Sequence, residues 1–188
     1  EPYRRQRQMC IRDRYNGCEL RNAADNVRSG IISYLGHDPE LFNDSVRNNV
    51  LLGDDYDVFE YLRVVCMDKE VEAMEQGADT IIGSEGIRLS GGQAQRIALA
   101  RTLCHKKLVL VLDDPFSALD RNTEEQIYKK LKDMASDNIV ILISHRLYMF
   151  PKMDKVIWMD AGKANVGTHK ELMLECPCLL YTSDAADD

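Results

Sequence analysis

Leu108-Val109-Leu110-Val111-Leu112-Asp113-Asp114-Pro115-Phe116-Ser117-Ala118-Leu119-Asp120 is the stretch that decides the fold. Its opening aliphatic run has no polar face, so a strand covered on both sides is predicted. Such strands belong to parallel sheets lying between helices. Asp113 and Asp114 close the run, and the carboxyl ends of parallel strands are where these sheets receive ligands. One carboxylate there can hold Mg²⁺ beside a nucleotide, and a second can orient or deprotonate an attacking water. The plain alternative is a strand end stopped by turn-forming Asp and Pro.

The flanking sequence repeats the alternation. Ile31–Leu35, closed by Gly36, reads as a buried strand, and Ile139–Ile143 as a second fully apolar one. From Ser45 to Gln76 the chain reads as mostly helical, with Val58, Tyr61, Leu62 and Val65 as core positions at helical spacing. Helices are predicted from about Gly92 to Cys104 and from Asn122 to Met134. Val156–Met159, a turn at Asp160–Lys163 and Ala164–Val166 read as a strand, turn and strand near a sheet edge. The expected class is α/β, a parallel sheet with flanking helices.

Leu89-Ser90-Gly91-Gly92-Gln93 opens the helix that continues through Ala94 to Arg101. A helix start of this kind presents unpaired backbone N–H groups and a positive dipole end, an anion site suited to phosphate. Alone it would read as a simple N-cap. Ser144-His145-Arg146 follows the next apolar strand, where His145 could reach a terminal phosphate.

These three features, in this order, resemble the ABC ATPase family over nearly all of residues 15–177. Leu89–Gln93 match the signature motif. Leu108–Asp113 match Walker B, Asp114 takes the catalytic carboxylate position, Ser117–Asp120 match the D-loop, and His145 matches the switch histidine. The resemblance implies a P-loop NTPase-like fold with an inserted helical subdomain at about residues 45–103. It implies ATP and Mg²⁺ as cofactors, with Asp114 and His145 catalytic, and Asp113 and His37 at the metal. Ser90, Gly91, Gly92, Gln93, Ser117 and Asp120 would contact nucleotide. Two more segments resemble the exporter branch, Asp38–Val50 and Thr80–Gly86. The implied partners are a second nucleotide-binding domain, docked head to tail, and a transporter membrane domain at the cytoplasmic face of the plasma membrane.

Three departures set expectations of their own. The phosphate loop Gly-x-x-x-x-Gly-Lys-[Ser/Thr] occurs nowhere in the chain. It is expected upstream of a stretch that here begins near the Q-loop, so the chain alone is expected not to hold ATP tightly. His37 stands at the Q-loop glutamine position. Asp114 stands where glutamate is usual, and its carboxylate is set back by about an ångström, a displacement that can cost roughly a hundredfold in rate. A complete signature with an altered base resembles the degenerate half of a heterodimeric exporter. The alternatives are a soluble ABC ATPase and a regulatory nucleotide-binding module with little turnover.

Composition agrees. The 188 residues carry a net charge of −7, which gives no support to nucleic-acid binding. Cys18, Cys66, Cys104 and Cys176 lack metal-ligand spacing, as in a reducing compartment. The ends are of another kind. One codon choice for Arg4–Asp13 is, apart from its edges, the reverse complement of one for Cys178–Asp187. Residues 1–14 and 178–188 are therefore expected to be translated sequencing adapter, leaving 15–177 as part of one domain.

Overall fold

The computed structural model describes residues 14–15, 18–19, 29–84, 86–160 and 162–175. The two adapter-like ends, most of Asn16–Leu20, Cys176 and Glu85 lie outside these residues, apart from the backbone of Arg14. The chain divides after Ile143 into two units.

The first unit is built on a parallel sheet, β3 (Ile32–Leu35), β6 (Val109–Asp113) and β7 (Ile139–Ile143), with β6 in the centre. Ile32 pairs with Val109 and Leu35 with Leu112, while Asp113 pairs with Ile143. Two short pairs precede or flank it: β1 (Arg14–Tyr15) with β2 (Cys18–Glu19), and β4 (Asp44–Ser45) with β5 (Ile81–Ile82), both antiparallel. Leu110 and Leu112 are fully buried. β7 differs from its expected cover: Ile139 is 55% exposed and Ile143 46% exposed. Among the described residues β7 pairs only with β6, so it is an edge strand.

The helices of this unit include α1 (Val46–Leu51), α2 (Val58–Val64), α3 (Asp68–Glu72), α4 (Gly91–Cys104) and α5 (Arg121–Met134). Four of these starts have a local cause. Ser45, Asp57, Ser90 and Asp120 cap α1, α2, α4 and α5 by accepting a backbone N–H of the first turn. Val58, Leu62, Val65, Ile97, Leu99 and Leu103 are fully buried, as their spacing requires. Arg101 binds this layer together. Its guanidinium donates to the Asn49 carbonyl at 2.6 Å and to the Asn49 side-chain oxygen at 2.9 Å, and lies 4.8 Å from the centre of the Phe42 ring.

The two exporter-like segments meet here. Asp44 pairs with Ile82 and Ser45 with Ile81, and Arg47 donates to Asp79 at 2.7 Å. Gly83, at φ 113°, lies against Asn43, where a Cβ would come 3.1 Å from the Asn43 Cα.

In the second unit, β8 (Val156–Asp160) and β9 (Lys163–Gly167) form an antiparallel hairpin, followed by α6 (His169–Glu175). Val156 and Leu172 form its buried centre, with Leu147, Phe150, Met153, Trp158 and Met173 packed around them. Among the described residues the hairpin is a two-stranded sheet of its own. Among the described residues no helix is long and apolar enough to cross a membrane.

Candidate functional site

Asp113 and Asp114 stand at the carboxyl end of β6, the central strand. The Asp114 N–H donates to the Ile143 carbonyl at 2.8 Å, which anchors the strand end to β7. Asp114 has φ 47°, a left-handed conformation that Asp adopts more readily than most residues. The backbone thus leaves the strand sharply, and a tight turn follows, with Ser117 N–H on the Asp114 carbonyl at 3.2 Å.

Two side chains from β3 and the loop after it reach these acids. The Tyr34 hydroxyl donates to Asp113 Oδ2 at 3.3 Å. Burial, then the Asp113 charge and this hydrogen bond, push the Tyr34 phenol above its usual range, so it remains a donor. His37 Nδ1 lies 3.9 Å from Asp114 Oδ2, with the imidazole 56% exposed and the carboxylate 14% exposed. Of the expected metal pair, the His37 ring lies against Asp114, the neighbour of Asp113. Among the described residues no group of three or more His, Cys, Asp or Glu could hold a metal ion by itself. A half-buried carboxylate beside a hydroxyl is a hard oxygen donor set. It fits Mg²⁺, which commonly takes one or two carboxylates and completes its shell with phosphates and water.

The start of α4 is the second part of the site. Ser90 Oγ accepts the Gln93 N–H at 3.2 Å, and Gln93 Oε1 accepts the Ser90 N–H at 2.9 Å, a reciprocal capping box. Helix geometry leaves the N–H groups of Gly91 and Gly92 outside the helical ladder. Gln93 Nε2 also donates to Glu70 at 2.8 Å, and Arg96 donates to the other Glu70 oxygen at 2.7 Å. Burial of Glu70 raises its pKa, but the bonds from Arg96 and Gln93 and the Arg96 charge outweigh it, so the carboxyl lies below its usual range.

The two parts are in contact. A Cβ on Gly92 would stand 2.8 Å from the Ala118 carbonyl oxygen, so this position has no room for a side chain. The structure therefore joins Ser90, Gly91, Gly92 and Gln93 to the turn that carries Asp114 and Ser117. Asp120 lies at the end of that turn and caps α5, and the Thr123 hydrogen bonds hold its carboxyl below the usual range. His145 belongs to the second unit and its side chain is exposed.

Gln95, Glu70 and Tyr34 were not singled out as site residues from sequence. Gln95 carried a signal: it shares the i, i+4 stripe of Leu99 and Leu103, so a polar residue sits on the buried face of α4. Glu70 and Tyr34 carry no comparable mark.

Residues 11–117 match a family model described as ABC transporter. The chain is 34% identical over 165 residues to ABC transporter B family member 1 of Dictyostelium discoideum, covering 85% of this chain and 18% of that protein. It is 36% identical over 165 residues to an ATP-dependent lipid A-core flippase of Alcanivorax borkumensis, covering 85% of this chain and 27% of that protein. A solved structure of a bacterial Atm1-family ABC exporter with ATP bound superposes with a TM-score of 0.84 at 28% identity, covering 92% of this chain and 31% of that one. The chain thus spans only about 18–31% of the length of these relatives.

Proposed function

The chain belongs to the ABC transporter family, and from that premise we propose that it is the nucleotide-binding part of an ATP-driven exporter and supplies its signature motif to a partner subunit. The observation that supports this best is the contact between the two halves of the site. The anion-binding end of α4 and the acid-bearing turn are locked together at Gly92 and Ala118. One nucleotide would meet the Ser90–Gln93 end, and another would meet Asp113 and Asp114, so the two sites move as one body.

The roles follow from chemistry. Ser90, Gly91, Gly92 and Gln93 would receive the phosphates of a nucleotide held by the partner. Asp113 would hold Mg²⁺, which when bound neutralises phosphate charge. Asp114 would orient the attacking water and take its proton, with His37 beside it. His145 would contact the terminal phosphate, and Ser117 and Asp120 would face the partner domain. A head-to-tail arrangement at the cytoplasmic face of the membrane, with a membrane domain seated near the ribbon of β4 and β5, completes the proposal. The natural domain would be residues 15–177, with its helical part at about 45–103.

Asp114 in place of glutamate, and His37 in contact with it, favour a second reading. The chain's own site then holds nucleotide with little turnover and serves regulation. The reading is tested in proteoliposomes carrying the exporter assembled with its partner and membrane domain. Transport driven by Mg·ATP and lost on EDTA addition supports the exporter. Occluded nucleotide without turnover or transport supports the regulatory module.

A further inference from the structure

Gln95 is 3% exposed, and its side-chain amide is fully engaged. Nε2 donates to the Asp114 carbonyl at 2.9 Å and to Ser117 Oγ at 3.0 Å, while Oε1 accepts the Ala118 N–H at 3.2 Å. All three partners belong to the turn that follows β6. Gln95 itself lies one helical turn from Gly91, on the helix whose first residues form the anion-binding end. A buried amide placed on an otherwise apolar stripe is retained at a cost unless every one of its groups is paired, and here every one is paired.

We propose that Gln95 is a positioning residue that fixes the Asp114–Ala118 turn to α4, so that engagement of phosphate at Ser90–Gly92 sets the placement of the chain's own Asp114. The proposal rests on the nucleotide-site reading above. Two features make the turn dependent on this amide. Asp114 occupies a left-handed conformation that costs free energy and must be held by its surroundings. Its carbonyl accepts bonds from Gln95 and from the Ser117 N–H, and Gln95 also donates to the Ser117 hydroxyl. Steric contact at Gly92 and hydrogen bonding at Gln95 then act on the same turn from two points along one rigid helix. A shift of the helix start of a few tenths of an ångström is passed to the acid, because packed interfaces of this kind do not deform continuously.

The test uses two variants and two readouts. Gln95→Met keeps the length and volume of the side chain and removes all three bonds. Gln95→Asn keeps the amide but is a methylene too short to reach the turn. In this chain, hydrogen exchange is expected to quicken at least tenfold at Ala118 in both variants, with α4 beyond Leu99 unchanged. In the assembled exporter, ATP kcat is expected to fall at least tenfold in both, with KM within twofold of the unmodified protein. Unchanged exchange at Ala118 overturns the proposal. Faster exchange with unchanged kcat, or a loss confined to KM, overturns it too, because Gln95 would then serve folding alone. Near-normal behaviour of Gln95→Asn would show that polarity suffices and would also overturn it. An unmodified exporter without ATP turnover sinks the nucleotide-site reading, and this is seen before any variant is measured.

Discussion

Gly92 and Ala118 are packed so closely that a single methyl group on Gly92 would come within 2.8 Å of the Ala118 carbonyl oxygen. The obstacle is backbone, in the turn that follows the left-handed Asp114, so neither side yields cheaply. Gly92→Ala is expected to lose about 1–3 kcal/mol of stability by overpacking. Urea unfolding followed by circular dichroism checks this. An unchanged midpoint contradicts the packing described between α4 and the turn.

Asn49 is fully buried and serves several partners at once. Its Oδ1 accepts the Phe42 N–H at 2.8 Å and its Nδ2 donates to the Phe42 and Ser45 carbonyls, each at 3.0 Å. Arg101, whose pKa burial lowers, donates to the same Oδ1. Asn49→Ala strands these groups and is expected to cost about 2–4 kcal/mol. Thermal melting is the measure, with the largest increase in amide exchange at residues 40–49.

Glu70 supplies a pH dependence with a definite sign. Its carboxyl lies below the usual range in the folded chain, where Arg96 and Gln93 bind the ionised form. The contribution is therefore present above the unfolded carboxyl range and is lost as pH falls through that range and the lower folded value. At 40% exposure, solvent screening limits it to about 1 kcal/mol. Glu70→Gln is expected to flatten the acid limb of the stability curve near pH 3–5 and to leave pH 7–8 stability lower by about that amount. An acid limb identical to that of the unmodified chain would contradict the assignment.

Asp114→Glu extends the acid by one methylene toward a bound nucleotide. The assembled exporter is expected to turn over ATP faster, by up to about a hundredfold if the setback of Asp114 is what slows its site. The left-handed backbone at this position tolerates Glu less well than Asp, so a small loss of stability accompanies the gain. No gain in turnover would mean that His37, or another feature of the site, sets the rate.

The sheet was legible because β6 and β7 carry continuous aliphatic runs and β3 a short apolar one, and each lies within a residue or two of its expected place. α4 was legible from Ser90, since Ser-Gly-Gly-Gln reads as a helix N-cap, and the structure shows a capping box there. The exposure of β7 was not legible, because an apolar run shows that a strand wants cover without showing which neighbour provides it. The contact of His37 with Asp114 was hidden for a different reason. It joins two loops from different strands, and the left-handed turn at Asp114 that sets its geometry has no signature in an Asp-Asp-Pro sequence. Gln95 could have been found by asking which residue on the buried stripe of α4 is polar.

The central claim is that this chain gives its signature end to a partner while its own acid site is the weaker one. The most direct measurement compares ATP turnover of the assembled exporter carrying Gly91→Asp with one carrying Asp113→Asn. A Cβ at Gly91 meets nothing closer than the Ala118 Cβ at 4.0 Å, so the first change leaves the fold in place and puts negative charge where phosphate would dock. The expected result is a loss of at least a hundredfold for Gly91→Asp and a smaller one, of about tenfold, for Asp113→Asn. The reverse order, with Asp113→Asn abolishing turnover and Gly91→Asp tolerated, would contradict the claim.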